Sequence, residues 1–297
     1  MDHENHDIPV PPVPDWSYQT VFRPLLFRLG ARLGRRTALG CMGFLARLPF
    51  GKHAIQLMGH MKPDARLAIE RNGIKLPSRV GLGSAVDPFL SATPALAELG
   101  FGFLEVGPIV ANPAARGGAI RVDGANETLH FELPREALTP KAASQRLERD
   151  RPFRQPVFAR IEPSSPEEAR EMLNVLGDCV DGFVVPINLL EVVRELFDIE
   201  TTGSDPQQLL FTAIDASAWR DDAHRERCTQ AHRDGWLAGV IVVGETEEGA
   251  AQSIGKPGFA AGVETVRLVR AELGDEPIVI GAVGVHAPSD ALDYVEA

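Results

Sequence analysis

The sequence has few cysteines, a deficit of positive charge and no long apolar runs, and each shortage excludes a class of protein. Its three cysteines, Cys41, Cys179 and Cys228, are scattered and odd in number, which excludes a disulfide framework and indicates a reducing, cytoplasmic environment. No apolar run reaches the roughly 18 residues that a membrane-spanning helix needs. Residues 1–18 are acidic and proline-rich, unlike a secretory signal, and we expect them to form a disordered tail.

The charge is negative overall and unevenly distributed. A net charge of −11 argues against general binding to nucleic acid. Residues 19–80 nevertheless contain 12 Lys and Arg against 2 Asp and Glu. Amphipathic patterns predict two helices, at residues 19–35 and 37–48, with Gly34 breaking the first pattern. We expect residues 19–50 to form a helical hairpin that contacts an anionic membrane surface, and residues 51–78 to form a linker.

Residues 79–110, RVGLGSAVDPFLSATPALAELGFGFLEVGPIV, read as strand, loop, helix and strand. Thr93 is the expected N-cap of the helix, with Pro94 at its first position and Gly100 as its glycine C-cap. Two strands joined by a short helix predict a parallel βαβ unit with a right-handed crossover. Residues 119–133 further predict a β-hairpin around an Asp123-Gly124 turn.

Strand and helix patterns continue to alternate through residue 297, which predicts an α/β fold, namely a TIM-type (β/α)8 barrel over residues 79–297. We find seven strands, at about residues 80–82, 101–110, 156–163, 181–188, 209–217, 237–245 and 277–285. A closed barrel of this type needs eight, and a missing strand leaves two open edges. We therefore expect an incomplete barrel, either truncated or completed by a second chain or by another copy of this chain.

The opening unit resembles the class 2 dihydroorotate dehydrogenases, which are membrane-associated flavoproteins of pyrimidine biosynthesis. GLGSAVDPF and LAELGFGFLEVGPI are similar to the family pattern GLAAGxDK…LxxLGFGxxExGTVT. FRPLLFRL is also close to the usual start of the family's N-terminal hairpin. The resemblance implies an FMN cofactor, dihydroorotate as substrate and quinone as electron acceptor.

The resemblance also implies cofactor-binding positions at the carboxyl ends of the strands. Matching the family's flavin and phosphate loops onto this sequence gives the residues Gly83, Ser84, Ala85, Gly107, Asn188, Gly281 and Gly284. The seventh loop, GAVGV, is similar to the family's GVGGI.

The reactive residues of the family do not carry over. Its two lysines match Pro88 and Ala213, and its threonine in the second loop matches Pro108. The loop VVNxSSPNT, which holds the general-base serine, is VVPINLL here, with Pro186 in place of an asparagine. The catalytic residues are therefore unknown, and we expect an inactive or altered partner or scaffold subunit. The alternative is an active FMN oxidoreductase that uses Ser84 or Asn188.

Two further patterns have simpler interpretations. Gly81-Leu82-Gly83 lacks the third glycine and the acidic residue of a dinucleotide-binding loop. His224, Cys228 and His232 share one face of a predicted helix, but that helix should lie outside the barrel, so we predict no metal site. The expected location is the cytoplasm, peripherally on the inner face of the cell membrane.

Overall fold

A computed structural model describes residues 28, 30–59, 65–115, 117–200, 208–244, 246–247 and 251–297. The chain divides into two compact units, residues 1–38 and 39–297. The predicted acidic tail and most of the first predicted helix lie outside the described residues. The helices are α1 (Ala31–Arg47), α2 (Gly51–Gly59), α3 (Thr93–Leu96), α4 (Pro140–Asp150), α5 (Pro166–Leu176), α6 (Leu190–Glu200), α7 (Ala216–Arg220), α8 (Asp222–Arg233), α9 (Phe259–Leu273) and α10 (Pro288–Glu296).

The strands form one large parallel sheet, one smaller antiparallel sheet and one separate two-stranded hairpin. They are β1 (Ile69–Arg71), β2 (Ile74–Leu76), β3 (Leu104–Ile109), β4 (Ile120–Asp123), β5 (Thr128–Glu132), β6 (Val157–Ile161), β7 (Gly182–Pro186), β8 (Leu209–Ile214), β9 (Gly239–Val242), β10 (Thr246–Glu247), β11 (Ala251–Gly255) and β12 (Ile278–Gly281). The large sheet has six strands in the order β12-β9-β8-β7-β6-β3. This order, with helices between successive strands, is that of an incomplete TIM-type barrel.

The first of the seven predicted strands is reduced to a single bridge. Leu82 pairs in parallel with Leu104, and its amide donates to the Phe103 carbonyl at 3.0 Å. The chain turns at once through residues 83–86, so the pairing goes no further. The expected seven strands are therefore six strands and one bridge among the described residues.

Alternation along the strands builds two cores, as expected for a barrel. On β3, Leu104 and Val106 face the helices, whereas Phe103 belongs to the inner cluster. Inside the barrel, the aromatic ring of Phe158 contacts those of Phe103 and Phe211 in tilted arrangements, with centroids 5.6 and 4.8 Å apart. These three side chains fill the lower interior, so the barrel is packed rather than hollow there.

Residues 51–78, predicted as a linker, instead contain α2 and the β1–β2 hairpin. Ile69, Ile74 and Leu76 pack against the inner cluster of the barrel. The side chain of Asn72 donates to the Ala238 carbonyl, which directly precedes β9, at 3.0 Å. The hairpin therefore closes the amino-terminal end of the barrel. The short alternation of apolar residues in IERNGIKL is a strand signal that the linker interpretation overlooked.

The helix boundaries near the N-terminus also differ from the prediction. A single helix runs from Ala31 to Arg47, and the break falls at Gly30, whose φ is +75°. Gly34 lies inside this helix, so it does not end the first helix as predicted. One glycine is tolerated within a helix at a cost of about 1 kcal/mol.

The start of α3 is capped by a residue other than the one predicted. Ala92 is the N-cap, and the carboxylate of Asp87 accepts from the Ser91 and Ala92 amides at 2.9 and 2.7 Å and from the Thr93 hydroxyl at 3.1 Å. The prediction of Thr93 as N-cap was wrong because a buried aspartate six residues earlier supplies the acceptor. Gly100 adopts the left-handed conformation predicted for it, with φ +82°.

Candidate functional site

The parallel strands place their carboxyl ends along one edge of the sheet, which is the active face of TIM-type barrels. Gly83, Ser84 and Ala85 follow the Leu82 bridge, and Asn188 follows β7. Gly107 lies on β3, Gly281 is the last residue of β12, and Gly284 lies in the loop after β12. All seven predicted positions therefore reach this edge, but β3 and β12 are the outermost of the six strands.

A buried ion pair lies in the barrel interior between β3 and β6, formed by the second residue of β3 and the fourth residue of β6. The Nε atom of Arg160 donates to the Oε1 atom of Glu105 at 2.5 Å, and the two side chains are 9% and 5% exposed. Phe103 and Phe158 face inward. Glu105 and Arg160 each lie two residues further along, so the alternation of a strand turns them inward as well. Two opposite charges at inward positions of neighbouring strands can be buried because each partly compensates the other's lost hydration.

The residues around Arg160 have small side chains or, at Gly107, none. A Cβ atom on Gly107 would lie 2.6 Å from the Arg160 carbonyl, so only glycine allows this approach of β3 to β6. On the other side, Arg160 pairs in register with Val184, and Pro186 and Ala213 pair with each other one step higher. The upper interior is therefore lined by a guanidinium, a carboxylate and small apolar residues.

A second ion pair stands just above the first. Arg135 pairs with Glu162, the residue that follows β6, and both side chains are about one-quarter exposed. Arg135 belongs to the segment between β5 and α4. That segment runs parallel to the end of β3, where the Val110 amide donates to the Leu138 carbonyl at 3.0 Å.

The first loop is shaped by Asp87 rather than by a cation. Pro88, which stands where the family has a lysine, is buried beside Asp87. Ser84 is 9% exposed, whereas Gly83 is exposed and has open space where a Cβ atom would be. Asn188 is the exposed residue of a 3-10 turn that follows β7. The two polar residues predicted near a flavin therefore differ in exposure, and Ser84 is the enclosed one.

The loop after β12 packs against its own following helix. A Cβ atom on Gly281 would lie 2.2 Å from the ring of Tyr294 on α10, and the Tyr294 hydroxyl donates to the Val283 carbonyl at 2.8 Å. Burial raises the pKa of Tyr294 to about 12. Gly284 has φ +66°, and a Cβ atom there would lie 2.8 Å from the Gly255 carbonyl. Packing within the chain therefore explains why glycine stands at both positions, without a ligand.

This loop does not fit the phosphate of an FMN cofactor in the way that the resemblance implies. A phosphate site at a helix N-terminus needs backbone amides that are free to donate. The amides of His286 and Ala287, at the start of α10, both donate to the Asp290 carboxylate at 2.8 Å. These hydrogen bonds lower the pKa of Asp290, so an anion already occupies these donors.

The sequence analysis did not single out Glu105 and Arg160, the two charged residues that meet inside the barrel. Their signal was available, because each is a single charge inside an apolar strand, LEVGPI and VFARI, and the charges are opposite. On the predicted outer helix, Cys228 is fully buried, and burial raises its pKa to about 12. Among the described residues, no group of three or more His, Cys, Asp or Glu side chains could hold a metal ion.

The chain is similar along almost its whole length to curated quinone-type dihydroorotate dehydrogenases. That of Chloroflexus aurantiacus is 28% identical over 338 aligned residues, covering 94% of this chain and 88% of the relative. That of Clavibacter michiganensis is 24% identical and covers 94% and 90%. A shorter match, to the enzyme of Kineococcus radiotolerans, is 32% identical over 97 residues. No protein-family model matches the chain.

Solved structures give the same relationship at the level of the fold. Ligand-free dihydroorotate dehydrogenase from Eimeria tenella aligns with a TM-score of 0.69 at 16% identity, covering 82% of this chain and 84% of that chain. Its complex with ferulenol aligns with a TM-score of 0.68. The curated relatives align with almost the whole chain, and the solved structures share its barrel. Both findings agree with the resemblance seen in residues 79–110. The chain is therefore similar in sequence, along almost its whole length, to the quinone-type dihydroorotate dehydrogenases, and it shares their fold.

Proposed function

We propose that this chain keeps the dihydroorotate dehydrogenase fold as a non-catalytic partner subunit and does not oxidise dihydroorotate by the family's route. The observation that carries the proposal is the Glu105–Arg160 pair in the upper interior of the barrel. It fills the region beneath the reaction site with charges that neutralise each other. The family's reaction instead needs a flavin ring, a cation and a positioned base.

The missing base supports the same proposal. Removal of a proton from carbon requires a positioned acceptor, and such catalysis contributes roughly 10²- to 10⁴-fold. At the end of β7, where the resemblance implies a serine, the chain has Pro186, Ile187 and the exposed Asn188. An amide side chain is a poor proton acceptor. The positions of both family lysines hold Pro88 and Ala213, which offer no cation.

The test combines flavin absorbance with turnover. The purified full chain, incubated with FMN and separated from free flavin, is expected to show no stoichiometric absorbance near the flavin bands. We also expect no dihydroorotate-dependent reduction of a quinone. Stoichiometric flavin together with turnover would contradict the proposal.

The alternative, an active FMN oxidoreductase with a shifted residue set, is favoured by one observation. Ser84 is almost fully buried in the first loop at the active face. This alternative requires that Ser84→Ala abolish any activity while leaving the fold intact. Asn188→Ala tests the other residue that this alternative could use, which is exposed.

Membrane contact is a second part of the proposal. Within residues 39–297, the large apolar side chains of Phe44, Phe50 and Leu57 are 64%, 85% and 73% exposed on α1, α2 and the turn between them. The opposite faces of these helices pack on the barrel through Ala46 and Ile55. Exposed apolar side chains on paired helices, with a basic segment before them, suit the surface of an anionic bilayer. No helix among the described residues is both long and apolar enough to cross a bilayer.

Co-sedimentation with vesicles tests this contact. We expect the full chain to bind vesicles that contain anionic lipid and the triple variant Phe44→Ser, Phe50→Ser, Leu57→Ser to bind at least tenfold more weakly. Val122→Ser with Leu129→Ser, which changes exposed apolar residues of the β4–β5 hairpin, is the control and should bind like the unmodified chain. Equal binding by all three proteins would contradict membrane contact through these helices.

The open sheet edge supports the partner role. Among the described residues, β12 pairs with β9 on one side and has no strand on its other side. An unpaired parallel edge presents free backbone donors and acceptors to another strand. Native mass spectrometry tests the partner role. The full chain is measured after purification alone and after purification together with the proteins that it retains from its host cells. A monomer in both samples would contradict the partner role.

A further inference from the structure

Two arginines from different helices hold one buried aspartate. Asp150 is the last residue of α4, and its side chain is 3% exposed. Arg47, at the end of α1, donates to the two carboxylate oxygens of Asp150 at 3.0 and 2.6 Å. Arg149 donates to the same two oxygens at 3.0 and 2.9 Å. Each carboxylate oxygen therefore accepts two hydrogen bonds, and Asp150 has no lone pair left for a third cation.

A third guanidinium group lies beside this pair without sharing its carboxylate. Arg146 is one helical turn before Arg149 on α4, so the two side chains are neighbours on the helix surface. The Nη1 atom of Arg146 donates to the Phe89 carbonyl. Two residues further along the first loop, the Ser91 carbonyl accepts from Nη1 of Arg47 at 3.2 Å. The loop thus holds the guanidinium groups of Arg146 and Arg47 close together.

The charges of this cluster do not balance. The next carboxylate, that of Asp87, already accepts from two amides and a hydroxyl. Burial and the charges of Arg149 and Arg47 lower the pKa of Arg146, and Asp87 offsets them only in part. Residues 81–297 contain 18 Lys and Arg against 35 Asp and Glu, so this crowding of cations runs against the charge of the chain around it. An anion bound here would reduce the repulsion between the arginines.

The three arginines also have hydrogen-bond donors that the protein does not use. Each guanidinium group has five N–H donors, and among the described residues the three groups make six hydrogen bonds in all. Their positions are fixed in advance by Asp150 and by the loop carbonyls, so a ligand orders few additional side chains. The side chains of Arg47 and Arg149 are 34% and 53% exposed, which leaves them open to a ligand from solvent.

We propose that Arg47, Arg146 and Arg149 bind a phosphate monoester group at the surface where α1 meets α4. A phosphate monoester has three terminal oxygens and up to two negative charges, which suits several guanidinium forks around one point. A monocarboxylate has one oxygen and one charge fewer, so it satisfies fewer of these donors. The inference goes beyond the proposed function, because it holds whether or not the chain binds flavin, has a partner or contacts a membrane.

Isothermal titration of the full chain with methyl phosphate tests the site, with acetate as the comparison anion. At constant ionic strength, kept with sodium chloride, we expect saturable binding of one methyl phosphate per chain. Acetate should bind about tenfold more weakly or less, because it offers fewer oxygens and less charge. Methyl phosphate should also raise the melting temperature, since a ligand that binds the folded state stabilises it. Equal binding of the two anions, or no saturable binding of methyl phosphate, would overturn the proposal without any variant.

Two variants and a matched control locate the binding. Arg146→Gln keeps a donor for the Phe89 carbonyl but loses the charge and the fork, and it should weaken methyl phosphate binding about tenfold or more. Arg149→Gln changes a half-exposed side chain and should weaken binding about threefold or more. Arg154→Gln removes the same charge from an exposed arginine of the same segment that has no side-chain hydrogen bond or ion pair among the described residues, and it should bind like the unmodified chain.

Circular dichroism confirms that each variant is folded before titration. Unchanged binding by both Arg146→Gln and Arg149→Gln would overturn the proposal, because methyl phosphate would then bind elsewhere on the chain. Equal weakening by Arg154→Gln and Arg146→Gln would overturn it too, because it would show a general response to net charge rather than a defined site.

Vesicles distinguish a lipid headgroup from a soluble phosphate monoester as the source of the group. Phosphatidic acid exposes a phosphate monoester, whereas phosphatidylserine carries its negative charge without one. If the ligand is a lipid, the full chain should bind phosphatidic acid vesicles more tightly than phosphatidylserine vesicles of equal surface charge, and Arg146→Gln should lose this preference. Saturable binding of methyl phosphate with no such preference supports a soluble phosphate monoester as the ligand.

Discussion

Gly281 and Gly83 show at the scale of single residues how the same residue type serves different purposes. Both were expected to contact a cofactor. Gly281 instead lies against the ring of Tyr294, whereas Gly83 has open space where a Cβ atom would be. Gly281 is thus required by packing within the chain, and Gly83 is free of that constraint.

Gly281→Ala is expected to lower the free energy of unfolding by about 1–3 kcal/mol, because its new methyl group overlaps the Tyr294 ring and the helix must shift. Gly83→Ala is the matched control, and its free energy of unfolding should change by less than about 0.5 kcal/mol. Urea unfolding followed by circular dichroism measures both. Equal effects of the two substitutions would show that Tyr294 does not pack on Gly281.

Asp290 gives a residue-scale prediction about pH. Hydrogen bonds from the His286 and Ala287 amides lower its pKa below the ordinary value of 3.8. The stabilisation by its carboxylate is therefore complete above that value and is lost as the pH falls through the lowered pKa. Hydrogen exchange of residues 284–292, corrected for intrinsic rates, should accelerate below about pH 4. Asp290→Asn does not titrate and should show no such step.

At the scale of elements, the β1–β2 hairpin is a plug at the amino-terminal end of the barrel. Leu76 is 4% exposed and belongs to the cluster that contains Phe158 and Phe211. The hairpin therefore shares the core of strands that lie more than eighty residues away in sequence. Its burial, rather than its own two-stranded pairing, must hold it in place, since an isolated hairpin is marginal in water.

Leu76→Ala should lower the free energy of unfolding by about 2–5 kcal/mol, because a large side chain is lost from a packed core. Lys75→Ala, next to it on the exposed side of β2, should be within about 0.5 kcal/mol of the unmodified chain. Chemical unfolding of both variants checks this. A small effect at Leu76 would mean that the hairpin does not close the barrel.

At the scale of the whole molecule, the three thiols report on the intact fold. Cys41 is exposed, whereas Cys179 and Cys228 are buried on the outer side of the barrel. Burial raises the pKa of both buried thiols, to about 12 for Cys228. Because the thiolate is the reactive form, both should react slowly in the folded chain.

Ellman's reagent at pH 8 should therefore label one thiol rapidly in the native chain and all three in urea. The urea concentration at which the second and third thiols appear should coincide with the loss of circular dichroism if the barrel unfolds cooperatively. Cys41→Ser should remove the rapid phase and leave the slow phase unchanged. Rapid labelling of two or more thiols in native buffer would contradict the burial of Cys179 or Cys228.

Much of the barrel was predictable from local pattern. The carboxyl-terminal six of the seven predicted strands appear within a few residues of their expected positions, because each is a short apolar run bounded by turn residues. A serine followed by a proline and two glutamates predicts a helix N-cap. Ser165 is the N-cap of α5, and its hydroxyl accepts from the Glu168 amide at 3.2 Å. Such features depend on neighbours in sequence, so the sequence alone determines them.

The site depended on contacts between distant residues, which local pattern does not contain. The pairing of Glu105 with Arg160 joins residues 55 positions apart, and it requires that neighbouring strands take one particular register. The sequence by itself determined the resemblance to the dihydroorotate dehydrogenases, the order of strands and the absence of the usual reactive side chains. Only the tertiary structure decided which charges meet inside the barrel, because a shift of one residue in strand register would turn each of them to the opposite face.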